Sequence, residues 1–222
     1  MFQQAYNDLY VNSAIPVGAE IKAIDIPASN WLFRAPSVAS SIILLNGVQS
    51  GDAFYNRIGS RIEMKNLHIR GNINNAATST VGGGRFLIVY DKQPNGAFPV
   101  ISDILRSRDQ QGTATTDYSS EINLDNRARF AIIRDMQFYF PPVTNTAGVL
   151  TNGPNFPAYD DQPFDLNIFV KLKGLQTMYK SPNVDPTTIA SITTGALYAV
   201  FVGNVDGGWQ FSGGFRLRYD DK

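Results

Sequence analysis

Over most of this chain apolar side chains recur at every second position, the spacing that gathers them on one face of a β-strand. Residues 21–26 set Ile21, Ala23 and Asp25 against Lys22, Ile24 and Ile26, a half-buried strand that Pro27 is expected to end. Residues 41–45 (SIILL) form an unbroken apolar run closed by Asn46-Gly47, which predicts a strand covered on both sides. In residues 61–74, Ile62 and Met64 are apolar on one parity and Leu67, Ile69 and Ile73 on the other. A flip near Lys65-Asn66 predicts a bulge, or passage between two packing environments. Gly82-Gly83-Gly84 reads as a flexible connection into a strand over 85–90, which the turn 91–96 (DKQPNG) terminates.

Residues 130–140 place Phe130, Ile132, Met136, Phe138 and Phe140 on one face, with Arg134 the exception, before Pro141-Pro142 stops the strand. Residues 165–173 direct Leu166, Ile168, Val170 and Leu172 inward and Asp165, Asn167, Phe169, Lys171 and Lys173 outward. Strands over 196–203 and 209–219 follow. Two stretches read as helix: 101–106, with Ser102 as N-cap, and a turn at 125–129. The segment up to Pro163 and residues 182–194 read as long loops. Eight strands with one or two short helices and no internal repeat predict an all-β fold, an eight-stranded jelly-roll sandwich. The expected division is an N-terminal extension over residues 1–18 and one domain over 19–222.

Composition narrows the chemistry. With no Cys there is no disulfide framework, thiolate nucleophile or Cys-ligated metal. A single histidine, His68, excludes a His-rich metal cage. His68 has no nucleophile or orienting acid at a spacing that favours catalysis and reads as a satisfied strand residue, so no enzyme activity and no cofactor are expected. No apolar stretch is long enough to span a bilayer. Lys and Arg total 19 against 19 Asp and Glu, so the overall charge points to no polyanionic partner.

Four stretches carry a resemblance. Residues 54–65 (FYNRIGSRIEMK), residues 85–96 (RFLIVYDKQPNG) followed by 101–105 (ISDIL), residues 124–130 (LDNRARF) and residues 189–198 (IASITTGALY) stand in this order along the chain. Together they resemble the single jelly-roll capsid proteins of circular, Rep-encoding single-stranded DNA (CRESS-DNA) viruses, and the satellite-necrosis type of plant-virus coat is similar. The resemblance implies a coat protein whose partner is itself, in an icosahedral shell of about sixty copies built on one repeated set of heterologous contacts. It implies a virion location, assembly in the host nucleus or cytoplasm, and an enclosed single-stranded DNA genome, without membrane insertion. It also implies a basic N-terminal arm. The first sixty residues hold only Lys22, Arg34 and Arg57 against Asp8, Glu20, Asp25 and Asp52, so the expectation is that the arm is missing here or that a local basic lining replaces it.

Candidate binding residues follow from the outward faces. Lys65, His68, Arg70, Phe169, Lys171 and Lys173 form a candidate nucleic-acid lining, cations for phosphate and Phe169 for base stacking; the alternative is a solvated or intersubunit face. Asp160, Asp161 and Asp165, and separately Asp220-Asp221, are candidate calcium ligands, or simply solvated carboxylates. Trp209, Phe211, Phe215 and Tyr219 are expected in the core. The competing function is a jelly-roll binding module, lectin-like or a trimeric ligand of the cytokine type.

Overall fold

The alternating segments fold into two antiparallel sheets packed face to face. The structure is a computed structural model that describes residues 21–37, 42–75, 82–140, 145–146, 149–150, 164–181 and 188–222. In chain order the elements are β1 (Ile21–Leu32), β2 (Ile42–Leu44), β3 (Arg61–Asn75), β4 (Gly82–Asp91), the one-turn helix α1 (Ile101–Ile104), β5 (Ser107–Arg108), β6 (Ala114–Thr115), a 3-10 turn (Leu124–Asn126), β7 (Phe130–Phe140), β8 (Asn145–Thr146), β9 (Val149–Leu150), β10 (Phe164–Tyr179), a second 3-10 turn (Ile189–Ser191), β11 (Ile192–Thr194), β12 (Ala196–Gly203) and β13 (Trp209–Asp221).

One sheet has the order β1-β13-β3-β10-β11 and the other β2-β12-β4-β7. Numbered among the eight principal strands, these orders read first-eighth-third-sixth and second-seventh-fourth-fifth. That is the jelly-roll arrangement, which is the fold of this chain. The two-residue ribbons β5-β6 and β8-β9 stand apart from both sheets.

The core is dominated by aromatic rings. Phe86 and Phe201 from the four-stranded sheet meet Phe211 and Phe215 from the five-stranded one, with ring centroids 5.1 to 6.5 Å apart. Trp31 stacks on Phe211 at 5.7 Å. Trp209, Phe211, Phe215 and Tyr219 are all buried, as their spacing of two or four predicts. A buried asparagine ties the sheets at one end. The Asn46 side-chain amide donates to Thr177 Oγ1 (2.7 Å) and to the Gly195 carbonyl (2.8 Å), while its Oδ1 accepts from the Leu197 N–H (2.9 Å). Every polar group of that side chain has a partner, which is the condition for burying it.

The outer face of β4 and β12 in the four-stranded sheet is covered. Residues 92–129 fold over it: Ile101, Ile104 and Leu105 are buried, Phe98 meets Tyr198 at 5.8 Å, and Arg129 clamps the buried Asp91 through Nε (2.9 Å) and a terminal nitrogen (2.7 Å). Arg85 binds Asp135 through two bonds and reaches the Ser120 carbonyl of the covering segment. Consequently β12 is buried at every residue, which accounts for the continuous apolar runs in β4 and β12.

The structure corrects several expectations. Pro27 does not end β1: the strand continues to Leu32 through an irregularity between Ile26 and Ser29, tolerable because β1 is an edge strand. Gly82–Gly84 are not a connection but the start of β4, paired with Phe140, Tyr139 and Phe138. Gly83 and Gly84 are small because a Cβ on Gly83 would meet the Tyr118 ring at 2.3 Å and one on Gly84 would touch Phe33 at 3.0 Å. Helix α1 starts after Val100, whose N–H donates to the Asp103 carboxylate (3.3 Å), and Ser102 lies inside it. The turn expected at 125–129 begins one residue earlier, as 3-10. Strand β2 is an edge strand and only half-buried. Residues 1–18 and most of 141–163 and 182–187 lie outside the described residues.

Candidate functional site

The outer face of the five-stranded sheet carries no covering layer among the described residues, and its cross-strand register brings the outward positions into rows. Arg216 on β13 stands opposite His68 on β3, and His68 opposite Phe169 on β10; Asp25 on β1 completes that row. The adjacent rows are Ala23, Arg218, Asn66 and Lys171 on one side, and Gly214, Arg70 and Asn167 on the other. Directly opposed residues share a face, so His68, Arg70, Phe169 and Lys171, predicted as one lining, do form a contiguous surface. The spacing of about 4.8 Å between strands puts the far ends of a row, β1 to β10, about 14 Å apart.

Local contacts organise this face. His68 Nε2 lies 2.8 Å from Asn167 Oδ1, and its ring centroid 6.3 Å from that of Phe169. Phe169 is 54% exposed, an aromatic ring held in the open beside cations. Asp25 takes two bonds from Arg216, at 2.6 and 2.7 Å, and this guanidinium holds its carboxyl below the ordinary range. On these rows Arg70, Lys171, Arg216 and Arg218 outnumber the one carboxylate, Asp25, and the next row adds Asp165 opposite Asn72. A chain with no net charge thus has a cationic sheet face.

Lys65 and Lys173 sit differently, because both fall in the irregularity that the parity flip predicts. Against β13 the register passes from Asn66 to Met64, leaving Lys65 as the extra residue. Against β10 it passes from Lys171 to Leu175, so Leu172, Lys173 and Gly174 loop out, with positive φ at Lys173 (52°) and Gly174 (79°). Lys65 is bound to Glu63 and Asp220, each at 2.7 Å, and these carboxylates raise its pKa. Glu63 also receives Lys222, and the two ammonium groups, Lys222 first, lower its carboxyl to about 2. Lys65 is therefore committed to a small ionic cluster at the end of the face, whereas Lys173 stays exposed at the bulge.

Sequence reasoning missed part of this surface. Arg216 and Arg218 alternate with the buried Phe215, Leu217 and Tyr219, a visible signal of outward position that the aromatic residues overshadowed. Also missed was a groove of about 640 Å³ at the β1 edge, where Phe54 and Tyr55 of the β2–β3 loop stand beside Ala23, Asp25, Arg216 and Arg218. The loop is fixed from beneath by Arg57. Its fully buried guanidinium donates to the carbonyls of Val48 (3.1 Å), Gly59 (2.6 Å) and Ser181 (3.0 Å) and lies 4.1 Å from the Tyr179 ring centroid.

The calcium candidates divide. Asp160 and Asp161 lie outside the described residues, and Asp165 is exposed opposite Asn72. Asp220 holds Lys65, and Asp221 accepts the N–H groups of Ile58 (2.6 Å) and Gly59 (3.3 Å) beside Lys22 (3.3 Å), so both are engaged within the protein. No group of three or more His, Asp or Glu suited to a metal ion occurs among the described residues. No helix among them is long and apolar enough to cross a membrane. In comparisons with known proteins, no family model matches the chain and no curated protein matches it.

Proposed function

We propose that this chain is the coat subunit of a small icosahedral particle, assembling with copies of itself around single-stranded DNA. The observation that carries the reading is the two-sidedness of the sandwich. Residues 92–129 cover β4 and β12 of one sheet, while the other presents, among the described residues, a cationic face without a covering layer in a molecule of zero net charge. A wall that separates a polyanion from solvent has that character: one face for phosphate, one for the outside, and no chemistry between them. The four resembling stretches support the same reading, and they fall on elements that set the sandwich in shape. Arg57 of the first pins the β2–β3 loop, Asp91 of the second takes Arg129 of the third, and the fourth runs from a 3-10 turn into β12.

On this reading Arg70 and Lys171 meet phosphates, and His68 with Phe169 offers a stacking surface. Size-exclusion chromatography with negative-stain microscopy of the purified 222-residue chain tests it. Uniform closed shells are expected; a monomer or trimer in every buffer tried would sink the reading and favour a jelly-roll binding module.

A further inference from the structure

The groove at the β1 edge differs from the rest of the cationic face. Two aromatic rings, Phe54 and Tyr55, are 60% and 59% exposed there although the loop that carries them is held firmly. Arg57 binds three backbone carbonyls below the loop, Lys22 Nζ donates to the Asn56 carbonyl (3.0 Å), and Asp221 receives the Ile58 N–H (2.6 Å). Rings fixed in the open have already lost the freedom that a partner would otherwise have to remove. Beside them, Asp25 and Arg216 bind each other through two bonds of 2.6 and 2.7 Å, and both side chains remain about half exposed. Arg218 adds a second guanidinium on the lining.

A phosphate alone would not suit this lining, since Asp25 offsets Arg216. A nucleobase does: its π-face takes an aromatic ring, and its edge presents donors and acceptors together. We infer that the groove is a nucleotide pocket, in which one base of a single strand stacks on Tyr55 or Phe54 with its edge toward Asp25 and Arg216. The strand then crosses the sheet about 14 Å to Phe169 at the opposite end of the same row. This rests on the reading that the bare face meets single-stranded nucleic acid.

The test is fluorescence anisotropy with a labelled twelve-residue oligothymidylate on the full chain, comparing Tyr55→Leu, Phe54→Leu/Tyr55→Leu and Lys171→Gln. Leucine keeps the apolar bulk and removes the ring, and both positions lie outside the core. Tyr55→Leu is expected to weaken binding roughly 5- to 100-fold without altering its salt dependence, as loss of a stacking contact does. Lys171→Gln is expected to lower the salt slope. If both ring variants bind like the parent while Lys171→Gln does not, the pocket is overturned and the face reading stands. If no variant changes binding, the face reading falls and the pocket with it. If the ring variants keep oligonucleotide affinity but no longer form particles, the groove is a contact between copies, and the inference is wrong.

Discussion

The guanidinium of Arg57 lies 4.1 Å from the centre of the Tyr179 ring, fully buried, with three backbone carbonyls around it. The carbonyls belong to three separate segments, so one side chain joins the end of β2, the approach to β3 and the exit of β10. Arg57→Met removes all three donors and should cost about 3–5 kcal/mol, since buried acceptors are left without partners. Arg57→Lys should recover less than half of that, because one ammonium cannot span three carbonyls in the fork geometry. Urea denaturation of the two variants checks both values.

Gly83 predicts a steric coupling. A methyl group there would stand 2.3 Å from the Tyr118 ring, so Gly83→Ala should destabilise by about 1–3 kcal/mol. In a Tyr118→Ala background the penalty should shrink by about 1 kcal/mol or more, the coupling expected of residues in contact. A double-mutant cycle in urea reads it directly.

The ionic cluster predicts an acid limit. Glu63 titrates near 2 because Lys222 and Lys65 favour its charged form. Its pKa is depressed on folding, so its contribution is present above the ordinary carboxyl range and is lost as pH falls through about 2. A carboxyl carbon titration by NMR should give that midpoint. Lys222→Met should raise it, though not fully to the ordinary range, since Lys65 remains 2.7 Å away.

The cationic face predicts a salt slope. Arg70→Gln and Lys171→Gln should each reduce the slope of log affinity for single-stranded DNA against log salt by about 0.7 to 1. Arg108→Gln, whose partner Asp125 lies in the layer over the other sheet, should leave the slope unchanged. Equal slopes for all three would show that the face does not meet phosphate.

Much of the sandwich was legible because its two sheets differ in environment. Strand β10 alternates cleanly since one face is bare, and β12 is apolar throughout since both faces are covered. The parity change at Lys65 marks a real bulge. What misled was local chemistry whose meaning depends on distant residues. Three glycines resemble a linker until Tyr118 and Phe33 are placed against them, and Pro27 resembles a stop until β1 is known to be an edge. The alternation of β10 breaks at Lys173, where two successive positive φ angles, at Lys173 and Gly174, reset it. On the candidate surface, His68, Arg70, Phe169 and Lys171 followed from alternation alone. The Phe54–Tyr55 groove did not, because a loop has no period and its neighbours come from strands at opposite ends of the chain.

The placement of β13 between β1 and β3 bears on how the molecule is made. Asp25 and Arg216, joined across β1 and β13, are 191 positions apart in sequence. While a ribosome is still extending the chain, β1 has emerged with a long sticky edge and nothing to pair with. The pairing with the greatest loop-closure cost must therefore wait until synthesis has passed residue 221. Translation products that end before Trp209 lack the strand that joins β1 to β3, so β1 has no place in its sheet.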